Sequence, residues 1–401
     1  MDARLGKQRV VSDLSAPDRA RSVPGTPEQR STRAAFFVAG FGMAAWAPLV
    51  PYAKDRLAIG EGTLGLLLLC LGAGSIATMP LAGALAARFG CRRAIWAASL
   101  IICGALPLLA TAGTVPLLAA ALMLFGAGLG TIDVVINIQA VIVERAAGRT
   151  MMSGFHGLFS VGGIAGAAGV SAALWGTGSP LLATLCVAAL IVATLLAFGR
   201  TLLPYGGDRD GPAFAVPRGA VLLIGALCFI SFLAEGSMLD WSALILTDLH
   251  GIDPVRSGLG YAVFSVAMTA GRLFGDRIVH SLGGRMVLLC GGSCAAGGVA
   301  LAVFAPSWPA ALAGFALVGL GASNIVPVLY SGLGRQRAMP ANLAVAAVTT
   351  LGYSGILAGP AGIGFVAHAV GLPVAFLGVA ALLLVVAACS SAATQGSAGT
   401  R

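Results

Sequence analysis

The sequence predicts an all-α membrane protein of twelve transmembrane helices arranged as two six-helix bundles, and three observations carry that reading. Hydrophobic residues make up 58% of the chain and charged ones only 10%, less than half the charged share usual in a soluble globular domain. Several apolar runs exceed the roughly 20 residues that a helix needs to cross a hydrocarbon core of about 30 Å. Basic residues gather in alternate loops between those runs. Because lipid cannot hydrogen-bond an exposed backbone, spanning segments must be helices or closed barrels, and these runs lack the alternation of barrel strands.

The segments fall at 33-52, 63-86, 94-112, 115-143, 152-175, 179-203, 219-247, 256-276, 286-305, 308-332, 342-367 and 371-390. An even number of crossings puts both termini on one face. With that face taken as cytoplasmic, its loops and tails hold all of the 24 Lys and Arg residues except Lys54, Arg56, Arg256 and the helix-borne Arg272. That asymmetry orients the chain by the positive-inside rule, with both termini cytoplasmic, and it accounts for the net charge of +9 without a nucleic-acid partner.

Residues 1-31 are polar and basic and lack a short apolar core before a small-residue cleavage site, so a disordered cytoplasmic tail is expected. A second polar stretch, 204-218, reads as a cytoplasmic linker between a first bundle at 32-203 and a second at 219-390, with a tail at 391-401. Sliding the sequence by 193 residues pairs Asp55 with Asp248, Gly90 with Gly283 and Arg92 with Arg285. The same shift pairs Gly126 with Gly319, Gly162 with Gly355 and Gly166 with Gly359, so an internal duplication of six helices is inferred.

After the second segment comes Gly83-Ala84-Leu85-Ala86-Ala87-Arg88-Phe89-Gly90-Cys91-Arg92-Arg93, a glycine packing position followed by a tight basic turn. It resembles the signature loop of the major facilitator superfamily. The copy running from Gly275 and Asp276 to Gly283 and Arg285 resembles it more loosely, and in both copies the usual loop aspartate is replaced, by Ala87 and His280. Within that superfamily the chain is similar to fucose-permease-like bacterial transporters. The similarity rests on Trp46 to Gly65, Asp133-Val134-Val135-Ile136-Asn137, Ser153-Gly154-Phe155-His156-Gly157, Glu235 to Trp241, and Gly352-Tyr353 to Gly359-Pro360. The resemblance implies the major facilitator fold and solute transport by alternating access, with Gly83, Arg88, Gly90, Arg92, Asp276 and Gly283 in the gating loops.

An ionisable side chain at the bilayer centre costs about 2.5 to 3.5 kcal/mol even on the lenient insertion scale, so each one needs a partner or a hydrated path. Asp133 precedes Glu144, at the inner end of its segment, by about 16 Å of helical rise, which places it near the midplane. Asn137 lies one turn further in on the same face. His156 opens the next segment, and two readings stand for it: a structural hydrogen bond to Asn137, or a shared polar lining. Proton coupling needs a carboxylate in a partly desolvated cavity, where a proton is bound and released near physiological pH. Asp133, Glu235 and Asp240 are the candidates, against static pairs or packing hydrogen bonds. Arg272 and Asp276, four apart, suggest an ion pair near the inner surface.

Trp46, Trp241, Asn324 and Tyr330 fall on helices that line the central cavity in this family. Aromatic faces with a few amides suit a small polar, sugar-like solute, since rings stack on apolar faces while amides take hydroxyls. Tyr330 reads equally well as an interfacial anchor.

Rival functions lack their motifs. The two lysines, Lys7 and Lys54, stand in no phosphate loop, which excludes ATP-driven transport by this chain. Gly126, Gly128 and Gly130 mimic a nucleotide fingerprint but sit inside a membrane helix, where they serve packing. Eight cysteines, Cys290 and Cys294 included, have no histidines at ligand spacing, so neither metal nor cofactor is expected. An intramembrane protease would need a partner for Gly275-Asp276 that the sequence does not supply. The resemblance therefore implies a non-enzymatic carrier of a small solute and protons in a lipid bilayer, expected as a monomer. The alternatives are a proton-driven efflux antiporter for a metabolite or drug, and a transport-like sensor.

Overall fold

The structure is a computed structural model that describes residues 24-208, 212 and 214-394. Most of the expected N-terminal tail, Arg209 and Asp210 of the linker, and residues 395-401 lie outside them. Among the described residues every regular element is helical. The first helix, α1 (Thr26–Ala44), starts earlier than the apolar run at 33. Pro27 stands in its first turn and the Glu28 carboxylate accepts from the Gly25 amide at 2.7 Å, so polar residues extend the helix beyond the hydrocarbon.

Pro48 and Pro51 then break the chain into a short 3-10 turn and α2 (Val50–Leu57), because neither can donate to the carbonyl four residues back. Next come α3 (Glu61–Phe89), α4 (Cys91–Thr111), α5 (Val115–Ala147), α6 (Met152–Thr177) and α7 (Pro180–Phe198). Beyond the linker lie α8 (Ala220–Leu244), which runs on as a π turn, and α9 (Leu259–Phe304). The chain closes with α10 (Trp308–Ala322), α11 (Ile325–Leu333), α12 (Ala341–Val370), α13 (Leu372–Ala388) and the short α14 (Ser390–Thr394).

Ten helical spans among the described residues are long and apolar enough to cross a membrane, and α13 is a shorter apolar helix. The 46-residue α9 is far longer than a bilayer requires. It joins what the sequence reads as separate crossings at 256-276 and 286-305, but Gly283 interrupts it with φ 76° and ψ 153°. Gly90, between α3 and α4, has nearly the same conformation, φ 84° and ψ 153°. An L side chain rarely adopts this geometry, so both turns depend on glycine.

The 193-residue offset also reappears in the packing. A Cβ at Gly126 would press on the Leu71 carbonyl and one at Gly319 on the Phe264 carbonyl, and 71 and 264 are themselves 193 apart. Helices pack mainly within their own half of the chain: α1 on α6, α3 on α5, α4 on α5 and α7, then α8 on α12 and α9 on α10 and α13. The halves meet where α3 crosses α12 and α6 crosses α9. Around this core, large apolar side chains such as Trp175, 93% exposed, and Phe365, 79% exposed, face outward as a lipid-facing surface requires.

Candidate functional site

Asp133 and Asn137 occupy adjacent turns of α5, and the Asn137 amide donates to the Asp133 carbonyl at 2.9 Å and to its carboxylate at 3.3 Å. No cation pairs with Asp133 among the described residues. The bond expected between Asn137 and His156 does not form. His156 Nδ1 instead engages the Met152 carbonyl at 3.0 Å, its ring lies between Phe36 and Tyr330, and Asn137 Oδ1 is buried without a partner. Tyr330 is 1% exposed and shares a 2.7 Å hydrogen bond with Thr349, which rules out an interfacial anchor.

Arg272 does not pair with Asp276 as the four-residue spacing suggests. From α9 its Nη2 donates to both Glu235 oxygens of α8, at 3.2 and 3.3 Å, and this pair is largely enclosed. A guanidinium this deep needs a counterion at its own depth, and Asp276 lies a full turn nearer the basic loops. Nε meets the Ser323 carbonyl at 3.3 Å and Nη1 the Ser160 hydroxyl of α6 at 3.0 Å. The Ser323 carbonyl is free because Pro327, four residues on, has no N–H to give it, which also parts α10 from α11. Asn324 holds that joint to α9 through the Gly271 carbonyl at 3.0 Å, and its amide oxygen lies against Gly275, where a Cβ would collide.

Trp46 and Trp241 each leave a buried indole N–H without a partner. Asp240 is exposed, and Tyr261 of α9 lies within electrostatic reach of it, of Glu235 and of Arg272. Tyr353, within reach of Ser75 and Asp133, completes the polar set.

At the end that carries the basic loops the two halves are tied together. The Asn342 amide of α12 donates to the Gly83 carbonyl of α3 at 3.1 Å. The Asp276 carboxylate accepts from the Gly154 amide at 3.1 Å and its carbonyl from the Thr150 hydroxyl at 2.9 Å. An acid on α9 thus caps the start of α6, from the other half of the chain. Arg92 is bonded to the linker side, its amide to the Leu203 carbonyl at 2.8 Å and its guanidinium to the Arg200 carbonyl at 3.2 Å. Arg88 stacks over the neighbouring Phe89 ring.

Sequence reasoning missed Asn342, Ser160 and Gln139. The last is fully buried and joins Thr32 of α1 to the Leu203 amide, and an amide inside an apolar run was the signal.

Known proteins share this architecture. The chain is 58% identical over 373 residues to an uncharacterized MFS-type transporter of Yersinia pestis, covering 93% of this chain and 97% of that protein. It is 35% identical to the membrane protein MosC of Rhizobium meliloti, over 88% of this chain and 87% of that one. Its fold superposes on the E. coli fucose:proton symporter FucP with a TM-score of 0.76 at 16% identity, covering 90% and 98% of the two chains. A family model of the Major Facilitator Superfamily matches residues 34–335. Multiple apolar helices, the paired turns at Gly90 and Gly283, and these relatives together establish that the chain is a multi-pass membrane transporter belonging to the major facilitator superfamily.

Proposed function

We propose that this transporter carries a small polar, sugar-like solute together with a proton, by alternating access between two six-helix bundles, 32-203 and 219-390, joined by a cytoplasmic linker at 204-218. Dividing α9 at Gly283 and counting α13 brings the ten spans to twelve crossings. Both termini then lie on the cytoplasmic face of a bacterial inner membrane, and a monomer suffices. With the ties between halves at the basic-loop end, the state described is closed toward the cytoplasm.

Asp133 is the observation that carries the coupling: a carboxylate at mid-helix with an amide and no cation for company. Such a group tolerates the membrane interior when it holds a proton, and it releases that proton when water reaches it. Glu235, by contrast, already has Arg272 as its counterion. The unpartnered Trp46 and Trp241 indole N–H groups and the Asn137 amide oxygen are buried polar atoms that a hydroxyl-bearing solute would satisfy. The fold neighbour that is a fucose:proton symporter supports the same class.

Everted vesicles test both coupling and direction. Asp133→Asn is expected to abolish pH-driven accumulation while exchange of bound solute persists; undiminished accumulation in this variant would refute the assignment. A second reading, proton-driven efflux, draws on the same unpaired carboxylate, which can trade its proton for a cationic solute. Solute entering everted vesicles with protons from an acidic exterior would favour symport, and entry driven by an acidic lumen would favour efflux.

A further inference from the structure

The Arg272 guanidinium meets three separate parts of the protein at once. Glu235 of α8 takes the Nη2 edge, the free Ser323 carbonyl takes Nε, and the Ser160 hydroxyl of α6 takes Nη1. The first two contacts lie in the C-terminal half and only the third crosses to the N-terminal half. Because the guanidinium is a rigid planar fork, fixing two of its corners aims the third.

The rest of the α6–α9 seam follows the same line. A Cβ on Gly157 would stand 3.3 Å from the Leu273 nitrogen and 3.4 Å from the Arg272 carbonyl carbon, so the two backbones run close together there. One turn along α9, Asp276 holds the Gly154 amide. The seam is therefore a ladder with Arg272–Ser160 as its rung nearest Glu235, and Asp276–Gly154 as its rung nearest the basic loops.

We propose that Arg272 is a clasp between the halves: Glu235 and the Ser323 carbonyl hold its guanidinium in the one position from which it grips Ser160, and each transport cycle must release that grip. The proposal rests on the alternating-access reading but not on the proton carrier or solute named with it. Arg272 is a positioning residue in this role. A charged donor on a hydroxyl is stronger than a neutral pair, and in an enclosed seam one such bond biases two states by about tenfold.

The test uses the full-length protein with its native cysteines replaced and Ser153→Cys added, since the Ser153 side chain abuts Gly275 across the seam. Maleimide labelling from the cytoplasmic face of everted vesicles then reads seam opening without any solute or flux. Ser160→Ala is expected to raise the labelling rate about tenfold. Ser160→Thr, which keeps the hydroxyl, should stay near the parent rate, and Arg272→Lys, which keeps the charge but loses the fork, should follow Ser160→Ala. A Ser160→Ala rate equal to the parent's overturns the clasp. A second cysteine at Ala146, exposed at the basic-loop end of α5 and so on the labelled face, must label equally in all variants, which separates gate opening from loss of fold. Failed proton coupling would leave these rates as expected, so the two ideas stand or fall apart.

Discussion

The two halves of the chain share a packing scheme and differ in how they handle charge. Gly162 and Gly355, 193 apart, lie against the backbones of Phe37 and Phe229; Gly126 and Gly319 do the same against Leu71 and Phe264. The offset also pairs Asn137 with Tyr330 and His156 with Thr349. In the second half that pair is hydrogen-bonded at 2.7 Å, while in the first half the corresponding bond is absent and Asn137 turns to Asp133. Val134 corresponds to Pro327, and only the proline side has a broken helix and a free carbonyl. Met79, fully buried, corresponds to Arg272. One half thus carries an ion pair at a helix break, and the other an unbroken helix whose Asp133 carboxylate has an amide and, among the described residues, no cation beside it. A packing scheme repeated at one offset carries different polar contacts in its two halves.

The largest expected effect comes from breaking the fixed side. Arg272→Ala strands the Glu235 carboxylate and is expected to cost about 3–5 kcal/mol in thermal unfolding of the purified protein. Adding Glu235→Gln should restore at least half of that loss; a double variant as unstable as the single would show that the pair is not coupled. Next come the shared contacts. Gly162→Ala and Gly355→Ala should each cost about 1–3 kcal/mol and agree with one another, because each Cβ meets a backbone carbonyl. Marked disagreement would break the equivalence of the halves. Smallest is the contrast between Tyr330 and Asn137. Tyr330→Phe should cost about 1 kcal/mol through its lost bond to Thr349. Asn137→Leu should cost about as much, because its amide nitrogen loses the bonds to Asp133, and should in addition weaken solute binding through the unpartnered amide oxygen.

Much of the scaffold was legible because lipid leaves a chain few options: apolar length, basic loops and the repeat mark the spans directly. Asp133 and Glu235 were legible for the same reason, as charges in apolar segments. Their partners were not. Sequence spacing favours Asp276 for Arg272, but depth in the membrane selected Glu235, 37 residues away on another helix. The Asn342–Gly83 tie joins residues 259 apart through an uncharged amide and a carbonyl, which leave no periodic or electrostatic trace in the sequence. The N-terminal helix began early because its cap, not its hydropathy, sets where the first turn closes.

The division between an exchangeable carboxylate and a locked one can be read most directly by infrared difference spectroscopy on the purified transporter across a pH titration. The protonated-carboxyl band that vanishes as pH rises should be missing in Asp133→Asn and retained in Glu235→Gln. A band that survives in Asp133→Asn and is lost in Glu235→Gln would contradict the account.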